Sequence, residues 1–81
     1  MSPAGNADDV QNRVREMRTG QGQTQERLAN AVGLTRQSII AIEKGRFTPS
    51  IQTALRLARA LGTTVDHLFW LTGDKSDGGK S

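Results

Sequence analysis

The chain contains no cysteine and no tyrosine, one tryptophan, two phenylalanines and a single histidine. Without cysteine there is no disulfide framework and no thiolate metal site, and a reducing compartment suits such a chain. One histidine cannot build a metal site unaided. No apolar run approaches the roughly 18–20 residues needed to cross a bilayer, and the N-terminal MSPAGNADDV has no signal-peptide hydrophobic region. No Ser/His/Asp arrangement has catalytic spacing, and no carboxylate pair stands in an apolar setting. GQGQTQ lacks the preceding strand and the spacing of a phosphate-binding loop. These absences leave a single 81-residue domain, near the lower size limit for independent folding. It is expected to be cytoplasmic, with no enzymatic activity, no cofactor, no metal and no membrane partner, and no small-molecule ligand is evident.

What is present is an uneven distribution of charge. The net charge is only +3, yet five basic residues (Arg36, Lys44, Arg46, Arg56, Arg59) and one acid (Glu43) fall between Thr35 and Ala60, while the rest nearly cancels. A compact positive region on a near-neutral background suits an anionic partner, although a solvated charged face is the plainer reading of charge alone.

Helix signals dominate the chain. The first helix is expected to start near Asn6 to Asp9, with acids in its first turn, Val10, Val14 and Met17 facing inward, and Gly20 and Gly22 closing it. Thr24 caps a second helix, QERLANAV, burying Leu28, Ala29 and Val32 and stopping at Gly33. Thr35 caps a third, Arg36 to Lys44, followed by Gly45. Ser50 caps a fourth with Ile51, Ala54, Leu55, Ala58 and Leu61 inward, ended by Gly62. Thr64 caps a short fifth carrying Val65, Leu68 and Phe69. The run LFWLT is too short to classify by periodicity. The expected fold class is all-α with five helices. The domain is expected to span 8–72, between disordered segments 1–7 and 73–81, which are small, polar and glycine-rich.

The stretch TRQSIIAIEKG holds three isoleucines. Ile39 and Ile42 are three apart and share an inward face, whereas Ile40 points roughly 100° from Ile39, among Gln37, Ala41 and Lys44. Gln37 and Lys44 point outward, with Arg36 on the shoulder at the N-terminus. Helices two and three are joined by VGLT, and a glycine in so short a turn lets two helices cross steeply. That is the helix-turn-helix pattern, in which the first helix braces the second so that its N-terminal end can enter a major groove. Arginine and glutamine carry the paired donors and acceptors that suit guanine and adenine edges.

From Thr24 to Trp70 the sequence TQERLANAVGLTRQSIIAIEKGRFTPSIQTALRLARALGTTVDHLFW resembles the phage repressor/Cro-type (XRE) helix-turn-helix family, in particular small free-standing bacterial repressors. The match extends over roughly Arg13 to Trp70. The resemblance implies a lambda-repressor-like domain that binds a double-stranded DNA operator. Arg36, Gln37, Ile40 and Ala41 would face base edges. Gln25 would donate to a phosphate and buttress Gln37, Thr35 and Ser38 would lie near the sugar-phosphate backbone, and Lys44 and Arg46 would meet phosphates beyond the recognition helix. Arg18 and Glu43 match a structural pair tying helix one to the end of helix three. Ile40 stands where the family commonly places a small polar residue, and an apolar contact with a thymine methyl is its candidate role. Gln23 occupies a position that is often apolar, and Gly20 weakens the last turn of helix one.

Leu68, Phe69, Trp70 and Leu71 form an apolar cluster expected at a homodimer interface with helices four and five, because a short chain gains stability by covering such a patch in a two-fold dimer. In the resembling repressors this segment can form a short strand. Arg56 and Arg59 read as solvated or at a subunit boundary, His67 as a surface residue, and Asp66 as a charge serving its helix N-terminus. The expected output is repression from a near-palindromic operator. Two alternatives remain: a helical protein-interaction module without DNA, and a controller- or antitoxin-type autoregulator.

Overall fold

The computed structural model describes residues 9–74. In chain order these form β1 (Val10–Asn12), α1 (Val14–Gly20), α2 (Gln25–Val32), α3 (Arg36–Glu43), α4 (Ile51–Leu61), α5 (Val65–Leu68), β2 (Phe69–Leu71) and a closing 3-10 turn, Thr72–Asp74. Among the described residues the fold is mainly helical, with five helices and one two-stranded sheet. Of the two expected disordered segments, 1–7 and 73–81, all but Gly73 and Asp74 lie outside the described residues, and those two belong to the 3-10 turn.

Four helices begin on a hydroxyl. The side chains of Thr24, Thr35, Ser50 and Thr64 accept from the backbone N–H of Arg27, Ser38, Thr53 and His67 at 3.0–3.3 Å. Each satisfies one of the donors that a helix start leaves unpaired. Gly33 and Gly62 end α2 and α4 with φ of 76° and 72°, a left-handed geometry that costs a residue with a Cβ.

The first helix starts later than its expected Asn6–Asp9 origin, and Val10 is not part of it. Val10–Asn12 instead pair antiparallel with Phe69–Leu71, in the register Val10↔Leu71, Gln11↔Trp70, Asn12↔Phe69. This pairing satisfies backbone groups that an uncapped helix turn would leave open. Arg13 is the N-cap of α1 and makes no side-chain cap bond; the residue before it, Asn12, accepts instead, Val14 N donating to its Oδ1 at 3.0 Å. The partner of the LFWLT run is therefore within the same chain. Thr72 extends the closure, its N and Oγ1 both donating to Asp9 O at 2.8 Å.

The core gathers Val14, Leu28, Ala29, Val32, Ile39, Ile42, Leu57, Ala58, Leu61 and Leu68, with Met17, Leu34, Ala60, Val65 and Phe69 packed on its margin. The inward stripe of α4 is Ala54, Leu57, Ala58 and Leu61, not the expected set. Leu55 lies roughly 100° away from that stripe on the helix circumference and is 56% exposed. Ile51 opens the first turn and is 74% exposed. Arg18, expected in a structural pair with Glu43, is buried.

Candidate nucleic-acid interface

The turn between α2 and α3 sets how the two helices meet. After Gly33, Leu34 N donates back to Ala29 O at 2.9 Å and the Leu34 side chain packs on the core margin. The chain then leaves as the extended Thr35 (φ −89°, ψ 160°) that caps α3. With Ile39 and Ile42 fully buried, α3 can rotate no further, and Arg36 and Gln37 are left exposed on its first turn. Ile40 and Ala41 are half-buried: the isoleucine expected on the outward side is partly covered by its own domain, with the remainder open to solvent. Thr35 is exposed and Ser38 half-buried, and their hydroxyls share a 3.1 Å hydrogen bond.

At the other end of α3, Lys44 is the C-terminal cap residue and Arg46 follows Gly45, both exposed. Arg46 N donates to Ala41 O at 2.9 Å, so the chain folds tightly around the helix end and keeps both cations beside it. A cation there also offsets the negative end of the helix dipole.

Behind this surface lies an ion pair. Arg18 Nε donates to Glu43 Oε2 at 2.7 Å, with side-chain exposures of 9% and 3%. Arg18 Nη2 reaches Glu43 Oε1 at 3.3 Å and Nη1 reaches Gln23 O at 2.8 Å. The pair ties α1 to the last residue of α3, and removing one partner of so buried a pair costs about 3–5 kcal/mol. The half-buried Gln25 joins it, Nε2 donating to Glu43 Oε1 at 3.1 Å. No hydrogen bond links Gln25 to Gln37, so the expected buttress is not formed.

Sequence reasoning missed Asn12. Its Nδ2 donates to Ile42 O at 2.9 Å while its Oδ1 accepts from Val14 N, the first N–H of α1, so a single amide fixes the start of α1 against the end of α3. The signal is an asparagine two residues ahead of Val14, a side chain that readily accepts from nearby backbone N–H groups; a helix expected from Asn6–Asp9 hides it.

A family model described as helix-turn-helix matches residues 14–68, most of the described chain. An HTH-type transcriptional regulator of Methanothermobacter thermautotrophicus is 53% identical over 62 residues, covering 75% of this chain and 90% of the relative. The HTH-type transcriptional regulator YgzD of Bacillus subtilis is 42% identical over 62 residues, covering 76% and 94%. The chain belongs to the XRE-type helix-turn-helix family. Among solved structures, the restriction-modification controller protein C.AhdI from Aeromonas hydrophila superposes with a TM-score of 0.65 at 38% identity, covering 68% of this chain and 83% of that one. This helix-turn-helix protein is thus a transcriptional regulator with a DNA-binding domain, and its family is not one of enzymes.

The remaining surfaces of the regulator differ in character. Arg56 and Arg59 are exposed and line an open pocket of about 390 Å³ with Ala31, Val32, Gly33 and Ala60. His67 is exposed; its carbonyl accepts from Arg13 Nε at 2.9 Å. Leu68, expected at a subunit interface, is fully buried within its own domain and has no side-chain surface to offer a partner. Phe69 and Trp70 are half-buried and Leu71 is 41% exposed. Arg13 lies over the Trp70 ring, 4.6 Å from its centroid, which engages one face of the indole within the chain. An apolar cleft of about 140 Å³, lined by Val10, Pro49, Ile51, Ala54, Val65 and Phe69 among others, runs from α4 to β2. Among the described residues no helix is long and apolar enough to cross a membrane.

Proposed function

We propose that the protein is a dimeric repressor that recognises a near-palindromic operator in the cytoplasm by placing α3 in the major groove. The observation that carries this reading is the pair Arg36 and Gln37, exposed side by side on the first turn of a hydroxyl-capped helix whose back is locked into the core. Arginine pairs with guanine and glutamine with adenine through two hydrogen bonds each. Ile40 and Ala41 add an apolar surface one turn further on, suited to a thymine methyl. Gln25, Thr35, Ser38, Lys44 and Arg46 surround this patch as backbone contacts, which set register and most of the affinity but carry no sequence information.

Dimerisation is supported by exposed apolar surface that one copy leaves uncovered. Ile51 and Leu55 stand a turn apart on α4, both exposed, and the cleft beside Ile51 runs on to Phe69 of β2. The interface is therefore centred on α4 and β2, with Phe69, Trp70 and Leu71 contributing and Leu68 behind them.

Titration of random-sequence duplex at two salt concentrations tests the reading. Affinity should fall steeply with salt, and Lys44→Ala should weaken all sequences about equally while reducing the log–log salt slope by about 1. A salt-insensitive or absent response would favour a protein-interaction module on the same scaffold, and a Lys44→Ala variant with altered base preference would overturn the backbone role. The similarity to a controller protein favours a second reading, autoregulation of the protein's own operon. Strong binding to the DNA just upstream of its own gene supports it, and binding confined to distant promoters opposes it.

A further inference from the structure

We infer that Glu43 is a positioning residue for the DNA backbone, acting through Gln25, in addition to pairing with Arg18. This rests on the backbone role proposed above for Gln25. The Glu43 carboxylate is almost wholly buried, and Oε1 accepts from both Arg18 Nη2 and Gln25 Nε2. An ionised carboxylate only accepts, so the Gln25 amide is held with its nitrogen toward Glu43; the flipped amide would set oxygen against oxygen. One of its two N–H groups is spent on Glu43. The other N–H has no partner within the described residues, and an N–H is the group a phosphate oxygen requires.

Arg18 makes this arrangement tolerable beside DNA. It holds Glu43 through two nitrogens and is itself fixed by the Gln23 carbonyl, so the negative charge near a phosphate is neutralised in place. A free glutamine side chain loses rotamer freedom when it binds. Gln25 has been ordered in advance by an anchor that joins α1, α2 and α3, so that cost no longer falls on DNA binding.

Glu43→Asp tests this without changing charge: it keeps a carboxylate for Arg18 but withdraws it by one methylene from Gln25. With random-sequence duplex, Gln25→Ala is expected to weaken binding about tenfold, the scale of a hydrogen bond to a charged group, with an unchanged salt slope because no cation is lost. Glu43→Asp should give a similar loss, and the double variant should be no weaker than Gln25→Ala alone. Losses that multiply, or a folded Glu43→Asp variant with unchanged affinity, would overturn the inference. If Glu43→Asp does not fold, the Gln25 side-chain amide of the unaltered protein decides by NMR: one proton protected from solvent exchange and a second that shifts on adding duplex support positioning, whereas two protons that exchange with solvent equally fast oppose it. An unaltered protein that binds no duplex would overturn the DNA reading itself, whereas duplex binding that is indifferent to Gln25→Ala would overturn this inference alone.

Discussion

Adjacent isoleucines on α3 divide the labour of that helix. Ile39 is fully buried and, with Ile42, sets the rotation of the helix; Ile40 is half-buried beside Arg36 and Gln37 on the outward side. The same rotation that satisfies the core decides which side chains α3 turns outward, and so which would meet a groove under the proposed reading. At this scale Arg36 carries the sharpest expectation. Arg36→Ala should lose roughly 1–3 kcal/mol on the preferred operator and relax the choice of base at one position of each half-site. Affinity measured on the operator and on variants substituted at single base pairs checks this; an equal loss on every sequence would instead make Arg36 a backbone contact. Ile40 should confer a preference for thymine opposite it.

At the scale of elements, what was legible in the sequence was whatever depends on near neighbours. The four hydroxyl caps, the glycine ends and the two inward isoleucines are local features, and they stand where their spacing placed them. The start of the first helix and the face of α4 differ from their local signals for another reason. Val10 belongs to a strand because Leu71, far away in the chain, supplies its partner, and no local pattern shows that. In α4 both Leu55 and Leu57 fit an apolar periodicity; the choice between them falls to Ala54 and Ala58, which flank Leu57 on the packed face. Stability measurements separate the two leucines. Leu57→Ala should cost about 2–5 kcal/mol, because it opens a cavity in the core. Leu55→Ala, in protein dilute enough to be monomeric, should stay within about 0.5 kcal/mol of the unaltered chain. Equal losses in denaturant unfolding would mean that the face of α4 has been assigned wrongly. The Arg18–Glu43 pair came from the resemblance rather than from local spacing, and the bond from Gln25 to the same carboxylate required the structure.

For the whole molecule, the small sheet and the ion pair perform the same service from two sides. β1 and β2 bring the ends of the domain together, Asn12 joins that sheet to the end of α3, and Arg18 joins α1 to the same helix end. α3 is thereby held by elements drawn from across the domain, which suits the base-reading role proposed for it. The exposed apolar side chains of α4 and β2 take no part in these links and are the part of the molecule expected to need a second copy. Placing lysine at both Ile51 and Leu55 should leave the fold intact and shift sedimentation from dimer to monomer at micromolar concentration. A dimer that survives the double substitution would move the interface elsewhere.

Enrichment of bound duplexes from a random DNA library tests recognition by paired α3 helices most directly. Two copies related by a two-fold axis must meet the same face of the duplex, so the selected sites should be inverted repeats whose half-site centres lie about 10–10.5 base pairs apart. Selected sites without two-fold symmetry, or no enrichment over random sequence, would contradict it.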